Sequence, residues 1–141
     1  MSVYVDTSVL AAYYFPERSS SVVDAMLRRL SPPTISPLVE VELHSAISQK
    51  LRARQIDSTM ATRVVVQFRS HVADGLYERV AIGAREYALA SEWIARFEVS
   101  LRALGALHLA AASTNDLRLL TADQALAKAA KHFDVECRLV R

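Results

Sequence analysis

Cysteine occurs once, at Cys137, so no intramolecular disulfide can form, and no Cys/His spacing of the zinc type is present. The four histidines, His44, His71, His108 and His132, are scattered and include no HxxxH pair. Charge of one sign is also lacking. Lys and Arg number 17 against 15 Asp and Glu, a net +2, which excludes wholesale attraction to nucleic acid or to an acidic membrane and confines any such contact to a local patch. No uncharged apolar run approaches the roughly 18 residues of a membrane span, and the chain enters Val3-Tyr4-Val5 with no basic segment or long apolar stretch before it. The expectation is a cytoplasmic protein, neither secreted nor membrane-spanning. Internal repeats and low-complexity segments are absent as well.

What is present is a 141-residue chain, 52% hydrophobic and 23% charged. At about 100–200 residues per domain this is one domain, 1–141, and it can bury about two-thirds of its unfolded surface without disulfides or a structural metal. Val3 to Val5 reads as a short strand ending at Asp6, after which Thr7-Ser8 can cap a helix through Ala12 that Pro16 stops. A second helix starts at Ser19 to Ser21 and places Val22, Val23, Met26, Leu27 and Leu30 on one face until Pro32-Pro33 closes it. Thr34-Ile35-Ser36 reads as a strand, and Pro37, suited to a first helical turn, opens a long helix to about Arg54. Asp57-Ser58 opens another, with Met60, Val64, Phe68 and Val72 repeating every four residues up to Gly75. An edge strand within Leu76 to Ile82 follows, then helices from about Ala84 to Phe97 and from about Val99 to Thr114. Leu117 to Leu120 is a strand running into Thr121-Ala122-Asp123, followed by a helix to about Lys131 and a last strand in Val135 to Val140.

Strands alternating with helices predict an α/β fold with a mostly parallel central sheet of about five strands flanked by helices. Ligands of such sheets bind outside the carboxyl ends of the strands, and two of the strands here end in an acid, Asp6 and Asp123. One such Asp alone is more often a helix cap than a ligand. Two on one sheet edge, joined by an acid from a neighbouring helix, repel one another, and a divalent cation relieves that cost. All-oxygen ligands favour Mg²⁺ or Mn²⁺. The helix acid is Glu40 or Glu42. Both lie on margins of the apolar face, and periodicity does not choose between them.

Val5-Asp6-Thr7-Ser8, the segment Ser36-Pro37-Leu38 followed by Glu42, the run Leu101-Arg102-Ala103-Leu104-Gly105-Ala106-Leu107-His108-Leu109-Ala110, and Thr121-Ala122-Asp123 together resemble the PIN-domain ribonucleases, especially the VapC-type toxins of bacterial toxin–antitoxin pairs. The resemblance covers essentially the whole chain. It implies a single PIN-like domain and an endoribonuclease that hydrolyses RNA phosphodiesters with Mg²⁺ or Mn²⁺. Asp6, Glu42 and Asp123 are implied as the metal-site acids, with Ser8 and Thr121 as supporting hydroxyls. Its implied partners are RNA, a cognate antitoxin docking as a helix, and a second copy of the chain in a homodimer.

One position departs from that pattern. Where the family has a metal-binding Asp, this chain has Gly105, and a glycine inside an Ala/Leu-rich helix costs about 1 kcal/mol relative to alanine. The expected consequence is impaired metal binding and activity. The alternative is a catalytically inactive PIN-fold module that binds RNA or an antitoxin. A phosphoacceptor domain needs an adjacent acid pair after the first strand and a lysine after a late strand; Asp6 stands alone, and no lysine lies between Lys50 and Lys128.

Only Lys50, Lys128 and Lys131 among the basic residues are lysines. Arg102, three residues before Gly105, is expected on the same helix side and near substrate; Arg52 and Arg54 read as solvated helix-end charges. His108 reads as a hydrogen-bonded structural histidine that comes close to the site. Tyr13, Tyr14 and Phe15 read as lining a groove or a dimer seam. Glu98 and Asp116 are given no role.

Overall fold

The computed structural model describes residues 2–15, 20–29 and 32–140. Five strands, β1 (Val3–Val5), β2 (Thr34–Ile35), β3 (Glu78–Arg79), β4 (Arg118–Thr121) and β5 (Cys137–Leu139), alternate with seven helices. The helices are α1 (Thr7–Tyr14), α2 (Ser20–Arg29), α3 (Pro37–Arg52), α4 (Ser58–Ala73), α5 (Ala84–Ala95), α6 (Ala103–Thr114) and α7 (Gln124–His132). The sheet order is β3-β2-β1-β4-β5, and every pairing is parallel, with Tyr4 opposite Thr34 on one side and Leu119 on the other. The expected mostly parallel sheet is thus wholly parallel among the described residues.

Local chemistry explains several helix starts. Asp6 caps α1 by accepting from the Val9 N–H, and Asp57 caps α4 through the Met60 N–H. Asp6, rather than Thr7-Ser8, is therefore the cap, because Thr7 already has helical geometry. Pro37 occupies the first turn of α3, where a missing N–H costs nothing. Pro16, Ser19 and Leu30 lie outside the described residues. The helix expected from Val99 begins only at Ala103, because Arg102 has extended backbone (φ −93°, ψ 163°).

The central strands are buried on both faces, as an all-parallel sheet requires: Val3, Tyr4, Val5, Ile35, Leu119 and Leu120 are all in the core. On them pack Leu10 and Val9 of α1, Leu43 and Val39 of α3, and Leu109 with its alanine neighbours on α6. Each such Val or Leu contributes about 1.5–3 kcal/mol by leaving water. α1 packs on α2 and α3, and α3 on α4; α6 packs on α5 and α7. Tyr14 and Phe15 are buried, so of the aromatic trio expected at a groove only Tyr13 lines a surface cleft. The reason is polar as well as apolar, since the Tyr14 hydroxyl contacts Tyr77 and His71, each at 2.7 Å. Among the described residues no helix is long and apolar enough to cross a membrane.

The chain leaves β1 for β2 and β3 on one side and returns to β4 on the other, so the sheet has its topological switch between β1 and β4. The crevice outside the carboxyl ends of these two strands is where an open α/β sheet binds ligands.

Candidate functional site

Asp6 follows β1, Asp123 lies two residues beyond β4, and Glu42 projects from α3. All three line one cleft of about 650 Å³, together with Ser8, Arg102, Gly105 and His108. Glu40, the other candidate, is taken up elsewhere: Arg79 of β3 holds both its oxygens, at 2.9 and 2.8 Å. The tie that helical periodicity left is broken by a residue from the neighbouring strand.

Asp6 is only 4% exposed. Its Oδ1 accepts from the Ser8 hydroxyl at 2.6 Å and its Oδ2 from the Thr121 hydroxyl at 2.5 Å. Those hydroxyls in turn accept backbone N–H groups, Ser8 from Ala122 and Thr121 from Asp123, each at 3.0 Å. Residues 6–8 and 121–123 are thereby stitched across the switch point. Asp123 caps α7, its Oδ1 accepting from Ala125 and Leu126. Burial pushes the Asp6 carboxyl above its usual range, against the opposing pull of the Ser8 and Thr121 hydroxyls.

Glu42 has a different environment. Its Oε1 accepts from the Thr7 hydroxyl at 2.9 Å and contacts Nε2 of His108. Burial raises the Glu42 carboxyl, but the bond and charge interaction with His108 and the Thr7 bond outweigh it, so the net shift is downward. Nδ1 of His108 meets the Tyr4 hydroxyl at 2.7 Å, and that hydroxyl meets Ser36 Oγ at 2.7 Å. With the ring proton on Nε2, Glu42 accepts from His108, His108 accepts from Tyr4, and Tyr4 accepts from Ser36. Sequence reasoning missed Tyr4, Ser36 and Thr7. Nothing in a core strand's Tyr signals a partner 104 positions away; Thr7, beside Asp6, was within reach as a small hydroxyl next to an acid.

This relay makes a stability prediction. His108→Leu leaves the Tyr4 hydroxyl without its imidazole acceptor in a buried site and should cost about 2 kcal/mol, lowering Tm by several degrees. Tyr4→Phe added to it should cost less than the sum of the two single changes, because both act on one chain of bonds. Thermal melts of the three variants test this, and strict additivity would show that the residues act separately.

Gly105 sits in the first turn of α6 rather than in mid-helix, and it faces the cleft. A Cβ there meets only Leu126 Cδ1 at 3.5 Å and Leu101 Cδ1 at 4.0 Å, so a side chain fits. Arg102 lines the same cleft, not as part of the helical face expected for it but as the extended residue that caps α6.

Among the described residues no group of three or more His, Cys, Asp or Glu side chains is gathered as a metal cage. The donor chemistry nevertheless fits a hard cation. The acids supply only oxygen, and Mg²⁺ usually binds through one or two carboxylates plus water and substrate phosphate rather than in an all-protein cage.

The PIN domain family model matches residues 3–132. No curated protein matches the sequence. Among solved structures the chain is similar to FitAcB from Neisseria gonorrhoeae (TM-score 0.78, 17% identity, covering 97% of this chain and 96% of that one). It is also similar to VapC20 of Mycobacterium tuberculosis, a sarcin–ricin loop cleaving toxin (TM-score 0.70, 17% identity, 90% and 94% covered). A third is VapBC2 from Rickettsia felis bound to a DNA fragment from their promoter (TM-score 0.70, 14% identity, 100% of each chain). At these identities the likeness is one of fold.

Proposed function

Because the chain belongs to the PIN domain family, we propose that it is a toxin-class endoribonuclease that hydrolyses RNA phosphodiesters with Mg²⁺ or Mn²⁺ and is weakened by Gly105. The observation that carries this reading is the convergence of Asp6, Glu42 and Asp123, from three separate elements, on one cleft at the sheet's switch point. A carboxylate as buried as Asp6 is expensive to ionise, and a site built to keep two hydroxyls on it is built for a cation or a proton. Asp6, Glu42 and Asp123 would hold the divalent ion. When bound, it would activate water and neutralise charge developing on the scissile phosphate.

The protein's own residues do the rest. Ser8 and Thr121 fix both oxygens of Asp6, and Thr7 and His108 fix Glu42, so that neither carboxylate must be ordered when substrate arrives. Arg102, exposed at the cleft mouth, would pair with the RNA backbone. The toxin–antitoxin assemblies among the structural neighbours support a cognate antitoxin as partner. Homodimerisation and a cytoplasmic location belong to the same reading.

The second reading, an inactive PIN-fold module that binds RNA or an antitoxin, is favoured by Gly105 and by the lack of a gathered three-ligand group among the described residues. Incubating the chain and its Gly105→Asp variant with structured RNA and Mn²⁺, with EDTA as control, separates the two. Cleavage by either protein that EDTA abolishes supports the nuclease; RNA binding without cleavage by both supports the module.

A further inference from the structure

Phe97 combines two unfavourable features. It is 87% exposed, and its backbone lies in the left-handed region (φ 54°) immediately past α5. Helices here commonly end this way, but the equivalent positions elsewhere are Gly75, Asp116, Asp134 and Arg54. Glycine and aspartate tolerate that conformation, and arginine at least suits water; a bulky aromatic suits neither the conformation nor its exposure. Such an outlier points to a contact outside the fold.

The surface beside it indicates what that contact is. Glu98 reaches His132 at 3.4 Å, which places the Phe97 loop at the carboxyl end of α7. The cleft lies at the other end, where Asp123 caps the same helix. Between them Gln124, Lys128 and His132 follow at four-residue spacing on one face, with Lys131 beside them, and all are exposed. Neither lysine has an ion pair among the described residues, and they are two of the chain's three. Glu98 is already on His132, Asp123 caps the start of the helix, and Asp134 follows its end.

Resting on the nuclease reading, we infer that single-stranded RNA leaving the cleft runs along α7, its phosphates against Lys128 and Lys131, and that an RNA base stacks on Phe97. A basic track ending in an exposed ring is the arrangement by which single strands are held without reading sequence. Nine helical residues span about 13 Å, more than the step from one nucleotide to the next, so the stacked base lies outside the reacting linkage.

The test measures fluorescence anisotropy of labelled decaadenylate in EDTA, so that binding is read without cleavage. Phe97→Gly should bind about tenfold more weakly with an unchanged salt slope, and Phe97→Trp should restore binding. Lys128→Ala with Lys131→Ala should instead reduce the salt slope by about 1.4. Phe97→Gly should also raise Tm, since it removes the strained residue, so its weaker binding cannot come from unfolding. Wild-type affinity in Phe97→Gly overturns the inference, as does a loss of self-association in sedimentation, which would assign the ring to a protein interface. Phe97-dependent binding with no cleavage, even by Gly105→Asp, sinks the nuclease reading and leaves the track standing. EDTA-sensitive cleavage with unaltered binding by Phe97→Gly does the reverse.

Discussion

Gly105→Asp should fold as well as the parent chain and gain at least tenfold in Mn²⁺ affinity, with a larger gain in metal-dependent RNA cleavage. The stability half of this expectation rests on position. Residue 105 lies in the first turn of α6, which holds no acidic residue, and an acid there is favoured by the helix dipole by about 0.3–1 kcal/mol. The new Cβ meets its neighbours at ordinary contact distance, so no overpacking offsets that gain. The opposing effect is repulsion, because the new carboxylate joins a cleft that already holds Asp6, Glu42 and Asp123. That repulsion is what a divalent ion relieves, so the variant should show a modest Tm without metal and a rise of several degrees on adding Mn²⁺. Titration by water-proton relaxation, melts with and without Mn²⁺, and RNA cleavage give three separate readings. Equal affinity and activity in the two proteins would mean that three acids already suffice.

The sequence was most informative where the deciding interactions are local. A β-branched run ending in Asp6, a proline at the start of α3 and an Asp57 cap each fix an element end through residues a few positions apart. It was least informative where they are distant. Glu40 and Glu42 both lie on margins of the apolar face of α3, and only the packed fold shows Glu42 in the cleft and Glu40 held by Arg79 of β3. Helical periodicity starts α6 at about Val99, four residues early, whereas Val99 and Leu101 pack against the core from a non-helical segment and the helix begins only after the extended Arg102. That shift matters to function, since it moves Gly105 from mid-helix to a first turn, where the helix dipole favours an acid. His108 read correctly as hydrogen-bonded, but its partners, Tyr4 and Glu42, come from β1 and α3, and together they link the sheet's interior to the cleft.

Asp6→Asn should remove metal binding and yet make the protein more stable at neutral pH. Asparagine caps a helix as well as aspartate does, so the start of α1 survives with Oδ1 still accepting from the Val9 N–H and the Ser8 hydroxyl, while the amide nitrogen takes the place of Oδ2 and the Thr121 hydroxyl turns to accept from it. What disappears is a charge held at 4% exposure, and its loss should be worth about 1 kcal/mol. The sign of the pH dependence follows from the upward shift of Asp6. The unfolded chain releases this proton near the ordinary value of 3.8 and the folded one only at higher pH. The folded state is therefore favoured most below 3.8 and loses that advantage as pH rises through the raised value. The variant has no such loss. Its Tm should match the parent's in acid and exceed it by a few degrees at pH 7. Glu42, shifted downward, acts in the opposite sense in both proteins, adding stability above its ordinary range that fades as pH falls, and so largely cancels from the comparison. A Tm advantage equally large at pH 3 and pH 7 would show that packing, not the buried charge, sets the difference. A destabilised variant would show that the two hydroxyls need a carboxylate between them, and that Asp6 is held in place for the fold as much as for a cation.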